Sequence, residues 1–232
     1  MTFTDKLVLV TGGTGALGAA VVGGLIKAGA TCIVPFRHES DAQRFPHRDN
    51  ATVRLVAAGD LADEAAVAKL YDGLKLWASI HIAGGFAAGS VAETDRAALM
   101  AQIDGNLVSC FLCCRAAVTA IKAAGGGGRI VNVAARPALE PRSGAGMTAY
   151  TIAKSGVATL SVALAEEVAK DGILVNAVAP SIMDTPANRK AMPKADFDKW
   201  PKVEDVAATI LFLASPDNTV TRGGVVPVYG KS

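Results

Sequence analysis

Thr11-Gly-Gly-Thr-Gly-Ala-Leu-Gly18 decides how the chain reads. Lys6-Leu-Val-Leu-Val10 precedes it, a short apolar run with β-branched residues that reads as a buried strand. Ala19-Ala-Val-Val-Gly-Gly-Leu-Ile-Lys-Ala28 follows it and predicts a helix over about 17–28, with Gly29 as its stop. The glycines therefore sit on a strand-to-helix turn. Without Cβ atoms the backbone can fold tightly there and approach a ligand closely. The unpaired N–H groups and positive dipole end of the first helical turn suit a pyrophosphate. This setting predicts a dinucleotide site built on Gly12, Thr14, Gly15, Leu17 and Gly18 rather than a turn that binds nothing.

Outward from this turn the pattern repeats. Strands are predicted at about 31–36, 52–57, 77–82, 129–133, 172–178 and 225–228, with Pro180 ending the sixth strand. Helical periodicity falls at about 63–76, 94–104, 106–124, 149–170 and 203–214, and 38–51 reads as a loop or short helix. Residues 134–148 read as a Gly- and Pro-rich loop. Alternating strands and helices predict an α/β fold, a Rossmann-like doubly wound parallel sheet of about seven strands, in one domain over 1–232. Residues 181–200 are polar and irregular and too long for a plain connector, so they read as a substrate lid.

Composition agrees. Of 232 residues, 51% are hydrophobic and 19% charged, enough apolar material to cover both faces of a sheet. A formal net charge of +2 without a basic block does not suggest nucleic-acid binding. The first residues lack a signal-peptide layout and no uncharged run has bilayer-spanning length, so a cytoplasmic protein without membrane contact is expected. Cys110, Cys113 and Cys114 share a helical face, but no fourth ligand lies near them and their neighbours Phe111 and Leu112 are apolar. His38, His47 and His81 show no metal spacing. The cysteines read as packing residues, and no metal site is expected.

The ends of the strands carry the ligand chemistry. An acid at the end of the second strand would hold ribose hydroxyls, but Phe36 is followed by Arg37 and His38. A cation there suits a 2′-phosphate, so NADP(H) is favoured over NAD(H). Asp60, before Leu61, can accept from an adenine amino group or cap the next helix. Ala83-Gly84-Gly85 is a bare turn that can pass beneath a cofactor ribose, and Pro180 lies at the same edge. Tyr150 and Lys154 are spaced i,i+4 and share a helix face. A nearby ammonium favours the phenolate, so the pair can move a proton near neutral pH.

The chain resembles the short-chain dehydrogenase/reductases over nearly its whole length. The matching pieces are Thr11–Gly18, Asp60-Leu61, Ala83-Gly84, Asn106, Ile130-Val-Asn-Val133, Tyr150-Thr-Ile-Ala-Lys154, and Asn176-Ala-Val-Ala-Pro180 with Thr185. The resemblance implies that Tyr150 is the proton donor, Lys154 binds the nicotinamide ribose and tunes Tyr150, and Asn106 holds a relay water. It also implies that Thr185 and the backbone around Met183 contact the carboxamide. Two departures stand out. Ala16 replaces the usual middle glycine, and the family's catalytic serine is absent from Ala134-Ala-Arg-Pro-Ala-Leu139. Ser143 is the nearest serine and is too close to Tyr150 in sequence. The dihydropteridine reductase branch also works without that serine, and resembles the chain at Ala83-Gly-Gly-Phe86, Gly146-Met147 and the segment Asp184–Trp200.

The leading expectation is an NADP(H)-dependent reductase of a C=O or C=N bond, with quinonoid dihydropterin as one candidate acceptor. The alternatives are a ketone or quinone reductase and a non-catalytic NADP-binding sensor or scaffold. Helices 106–124 and 149–170 are apolar around much of their circumference, which predicts a homodimer or homotetramer.

Overall fold

The computed structural model describes residues 1–232. Each strand forms where a short apolar run can be buried on both sides. In β1 (Leu7–Thr11), Val8 and Val10 face one helical layer and Leu9 the other. In β2 (Thr31–Phe36), Cys32 and Val34 oppose Ile33 in the same way. Continuous apolar strands of this kind belong to parallel sheets covered on both faces. The remaining strands are β3 (Val53–Ala57), β4 (Ala78–His81), β5 (Arg129–Val133), β6 (Leu174–Pro180) and β7 (Val225–Val228). They form one parallel sheet in the order β3-β2-β1-β4-β5-β6-β7. The order reverses between β1 and β4, which opens a crevice at their carboxyl ends.

Two layers of helices cover the sheet. On one face lie α1 (Ala16–Lys27) and α9 (Val203–Ala214), joined through Val21, Val22, Leu25, Val206 and Ile210. On the other lie α3 (Glu64–Tyr71), α5 (Ser109–Ala123) and α7 (Thr148–Glu167), through residues such as Val67, Leu112 and Val157. The shorter helices are α2 (Glu39–Arg44), α4 (Arg96–Gln102), α6 (Arg136–Leu139) and α8 (Pro186–Ala191).

The structure differs from the sequence reading in several places. The helix expected over 63–76 stops at Tyr71, because Gly73 turns the chain at φ +66°. The helix or helix–loop segment expected at 94–104 and the helix expected at 106–124 are one run, since a π turn at Ile103–Val108 joins α4 to α5. That 28-residue run, Arg96–Ala123, is long and apolar enough to cross a membrane by length and composition, contrary to the expectation that no segment is. Here its inner face packs in the core through Cys113, Ala117 and Ile121. The loop at 134–148 contains α6 and a 3-10 turn, Pro141–Gly144. The sixth strand does end at Pro180, as expected, and this last residue pairs with Val228. The segment 181–200 holds α8 and a short turn at Phe197–Lys199, with its base tied by Arg189 Nη2 donating to Asp184 Oδ2 at 2.8 Å.

The turn after β1 passes tightly against the end of β4. Gly12 has φ +67°, and a Cβ there would stand 2.6 Å from Ala83 N. Gly73 has nearly the same φ, +66°, with nothing near its Cβ position. Gly73→Ala therefore reports left-handed strain alone, about 1–2 kcal/mol. Gly12→Ala adds a backbone clash and is expected to cost clearly more than Gly73→Ala in urea unfolding. Equal losses would mean that the β1 turn can move away from β4.

Candidate active site

A groove of about 400 Å³ runs along the carboxyl ends of β1, β2 and β3. Gly12, Thr14, Arg37, Asp60, Leu61, Ala83 and Gly84 line it, all residues that sequence reading assigned to a cofactor. At Gly84 and Gly85 it adjoins a cleft of about 230 Å³. There Leu17, Asn106, Tyr150, Lys154, Pro180 and Met183 meet. Three expected residues do not line either part. Gly18 packs into the turn, where a Cβ would stand 2.1 Å from Gly12 O. Gly15 is the exposed residue ahead of α1. Thr185 is buried and caps α8, its Oγ1 accepting from Asn188 N at 3.2 Å. Asp60 is pulled two ways: Oδ1 accepts from Ala62 N at 3.0 Å, and Oδ2 lies 3.8 Å from Arg37 Nη1 across the groove.

The local fold fixes three polar residues of the cleft, Asn106, Tyr150 and Lys154. The π turn swings Asn106 inward and leaves it buried. Its Nδ2 donates to Gly85 O and to Gln102 O, both at 3.0 Å. Its Oδ1 accepts from Gly85 N at 3.2 Å, so one oxygen lone pair stays free. Gly84 has no side chain because none would fit: a Cβ would lie 2.5 Å from Asn106 Oδ1 and 3.4 Å from Lys154 Nζ. Tyr150 stands in the first turn of α7, with Lys154 one turn on. Lys154 is 5% exposed, and its Nζ donates to Val133 O at 2.8 Å at the end of β5.

The electrostatics correct one sequence expectation, that proximity to Lys154 lowers the Tyr150 phenol. Instead, Lys154 Nζ sits 5.9 Å from the tyrosine ring centre, and burial pushes the phenol up to about 12. Burial likewise pushes the Lys154 ammonium down to about 8, with nearby Cys110 opposing. Desolvation is the largest cause of both shifts.

Sequence reading missed several wall residues. Phe86 is 62% exposed and meets the Tyr150 ring edge-on, centres 5.1 Å apart. Ala134 and Ala135, at the end of β5, line the cleft beside Tyr150. Ser181 lines it too, but its Oγ donates to Tyr229 O at 2.9 Å. Ser143 is exposed, and its Oγ donates to Glu140 O at 2.8 Å, outside the cleft wall. A residue such as Phe86 carries no periodic or chemical signal, so only the motif Ala83-Gly-Gly-Phe86 marks it.

The structure also revises the reading of the cysteines. β4 and β5 pair His81 with Asn132, and α5 lays Cys110 and Cys114 across them. Ligand atoms of His81, Cys110 and Cys114 lie within 4.8 Å of one another, although 29 residues separate His81 from Cys110 in the chain. The expectation that no further ligand lies near these thiols does not hold.

Comparison with known proteins places this architecture. The family model described as short chain dehydrogenase matches residues 6–196. The (2S)-[(R)-hydroxy(phenyl)methyl]succinyl-CoA dehydrogenase subunit BbsD of Thauera aromatica is 30% identical, over 99% of this chain and 97% of the relative. Dihydropteridine reductase of Dictyostelium discoideum is also 30% identical, over 98% and 96%. Among solved structures, ElxO with NADP bound superposes with a TM-score of 0.86 at 26% identity, over 97% of this chain and 97% of that one. The chain belongs to the short-chain dehydrogenase/reductase family and is an oxidoreductase.

The buried lysine makes stability depend on pH in a defined direction. In the unfolded chain Lys154 titrates near ~10.4. In the fold it titrates at about 8. Below that pH both states hold the proton, and the fold bears the cost of the buried charge. Above it the fold sheds the proton while the unfolded chain keeps it, so stability rises with pH up to about 10.4, by on the order of 3 kcal/mol. Lys154→Met lacks this step. Denaturant titrations should therefore show the stability of the natural protein relative to Lys154→Met climbing between about pH 8 and about pH 10. A flat difference would refute the desolvated amine.

Proposed function

We propose that the chain is an NADP(H)-dependent reductase of a conjugated C=N or C=O bond, with Tyr150 as the proton donor. The observation that carries this reading is convergence. Tyr150, Lys154 and Asn106 share a cleft that adjoins, at Gly84 and Gly85, a glycine-floored groove with Arg37 at its far wall. The dinucleotide fits this groove. Its floor at Gly12 and Gly84 is where a Cβ would strike backbone or Asn106, and its pyrophosphate end faces the N-terminus of α1. When bound, the reduced cofactor supplies the hydride from nicotinamide C4. Gly12, Thr14 and Leu17 would hold its centre, with Asp60 and Leu61 near the adenine and Ala83, Gly84 and Lys154 near the ribose. Pro180 and Met183 would stand near the carboxamide. Arg37 at the end of β2 would face a 2′-phosphate, a charge-assisted contact that the plain hydroxyl lacks.

Tyr150 gives its phenolic proton to the substrate nitrogen or oxygen as that atom gains charge. Protonated Lys154 favours the resulting phenolate, more so in a site with little water. Asn106 braces the Gly84-Gly85 turn and offers its free Oδ1 lone pair to a water. Ala135 and Ala134 put methyl groups on the wall where the family has a polarising hydroxyl. An acceptor that is already activated needs that hydroxyl least. Quinonoid dihydropterin, the activity in the name of the Dictyostelium relative, and quinones both answer this description. The segment 181–200 is the element placed to cover such a substrate.

The test is oxidation of NADPH and NADH, side by side, with quinonoid dihydropterin, quinones and simple ketones. NADPH is expected to be preferred, with turnover on the pterin or quinones well above that on ketones. Tyr150→Phe should lose roughly 10²–10⁴-fold in kcat while still binding NADPH. Arg37→Ala should weaken NADPH by roughly 10–100-fold and leave NADH nearly unchanged. Turnover that survives Tyr150→Phe, or an NADH preference, would overturn the respective assignment. We also infer a homo-oligomer formed through α5 and α7, whose outer faces expose Phe111, Ile152 and Val162. Sedimentation should show an oligomer for the natural chain and dissociation for Phe111→Glu.

A further inference from the structure

The most unusual feature outside the cleft is a polar pocket at the centre of the core. Ser79, His81 and Asn132 point from β4 and β5 toward the layer of α3, α5 and α7, where apolar side chains are the rule. His81 Nδ1 lies 2.8 Å from Asn132 Oδ1 and 3.5 Å from Cys114 Sγ. Asn132 Oδ1 is also 3.5 Å from Cys114 Sγ. Cys110 Sγ lies within 4.8 Å of the His81 and Cys114 ligand atoms. Each polar partner is held from behind. Ser79 Oγ lies 2.8 Å from His81 Nε2, and Asn132 Nδ2 donates to Ser161 Oγ at 2.9 Å. His81 Nδ1 and Asn132 Oδ1 therefore meet each other beside Cys114 Sγ. Tyr71 closes the far side, its hydroxyl 2.9 Å from Ser79 Oγ.

We propose that His81 Nδ1, Cys110 Sγ, Cys114 Sγ and Asn132 Oδ1 form a closed structural site for one Zn²⁺ ion. Three arguments support it. The first is geometric. With ordinary zinc–nitrogen and zinc–sulfur bonds, a tetrahedral centre spaces N and S about 3.6 Å apart and two sulfurs about 3.8 Å apart. The 3.5 Å separation of His81 Nδ1 from Cys114 Sγ already matches. The His81–Asn132 contact must open by roughly 0.6 Å, within side-chain adjustment. The second is charge. Two thiolates cancel the ion, and neutral imidazole and amide add nothing, so the loaded site is a neutral unit suited to a dry core. The third is the outer shell. Metal-bound imidazoles hold their other nitrogen on a fixed partner, the position Ser79 takes.

The site would be structural because all four donors are buried and protein atoms fill all four positions. It would clamp α5 to β4 and β5 one helical turn beyond Asn106. Coordination requires both thiols to lose their protons to solvent as the ion enters, and the His81 proton to move from Nδ1, where it faces Asn132 Oδ1, to Nε2, where it faces Ser79 Oγ, with no redox change. Because the pocket is closed, loading belongs to folding rather than to the finished structure.

The full chain, expressed in zinc- or cobalt-supplemented medium and isolated under reducing conditions, should carry one equivalent of metal that survives dialysis. The cobalt form should show a thiolate-to-metal absorption in the near ultraviolet. X-ray absorption at the zinc edge should find two sulfur and two lighter neighbours. Cys110→Ser and Cys114→Ser should each lose the metal and the absorption, whereas Cys32→Ser, a buried cysteine elsewhere in the core, keeps both. Metal well below one equivalent in the natural chain, no sulfur neighbours, or full loading of Cys114→Ser would overturn the proposal. If the two variants fail to fold, stoichiometry and X-ray absorption on the natural chain decide it alone.

Discussion

The contact on which the rest of the architecture depends is backbone against backbone, where the β1 turn crosses the end of β4. Gly12 lies under Ala83 with no room for a Cβ, and Gly18 presses the start of α1 onto Gly12 O. That closeness seats the N-terminal turn of α1 over the crevice where the strand order reverses. Moving α1 outward by one methyl would lift its free N–H groups from the groove floor. It would also loosen the packing of α1 on α9, which covers half the sheet. Substrate-side geometry begins at the same point, because Ala83 leads directly into Gly84 and Gly85.

From those two glycines the organisation passes to Asn106. Its amide spans Gly85 N, Gly85 O and Gln102 O, so the turn after β4 and the π turn between α4 and α5 act as one piece. An ordinary α-helical register would put position 106 elsewhere on the helix. A single inserted π turn is a known way to aim a residue at a site. Lys154 is held just as firmly, to Val133 O. A buried amine with one direct hydrogen bond carries a desolvation cost, visible as its lowered proton affinity. The fold supports that cost because Gly84 leaves space beside Lys154 Nζ that a side chain would fill.

The fold was largely legible because its signals are local and repeated. Apolar runs of strand length alternate with helical periodicity, and the seven strands emerge with β2, β5 and β7 at the expected bounds. What was not legible depends on distance in space. The π turn leaves no mark in composition, so periodicity splits into two segments what is one continuous run. The tyrosine and lysine are found by spacing, but their proton affinities follow from burial, which spacing does not report. The His81 cluster shows the same limit. Its cysteines are visible as a helical face, but the pairing of β4 with β5 and the crossing of α5 decide what that face meets. Thr185 shows the converse, since its place in a motif predicts a cofactor contact while its hydroxyl caps α8.

The missing serine bears directly on what the proposed reductase can reduce. In acyl chemistry a single preorganised donor to a developing oxyanion is worth about 3–4 kcal/mol. Here the two serines nearest the cleft commit their hydrogens to backbone carbonyls, Ser181 to Tyr229 and Ser143 to Glu140. The wall opposite offers Ala134, Ala135 and Met183. Tyr150 is thus left as the one side-chain hydroxyl free to serve the reacting heteroatom. An isolated ketone concentrates the developing charge on one oxygen and would need the donor that is absent. A ring-conjugated acceptor spreads that charge and regains conjugation or aromatic character as it is reduced, so its barrier depends less on the wall. The exposed edge-on Phe86 beside Tyr150 offers a ring against which a flat acceptor can pack. On this reading the apolar wall selects an acceptor class by withholding a donor, rather than marking a site that has lost its activity.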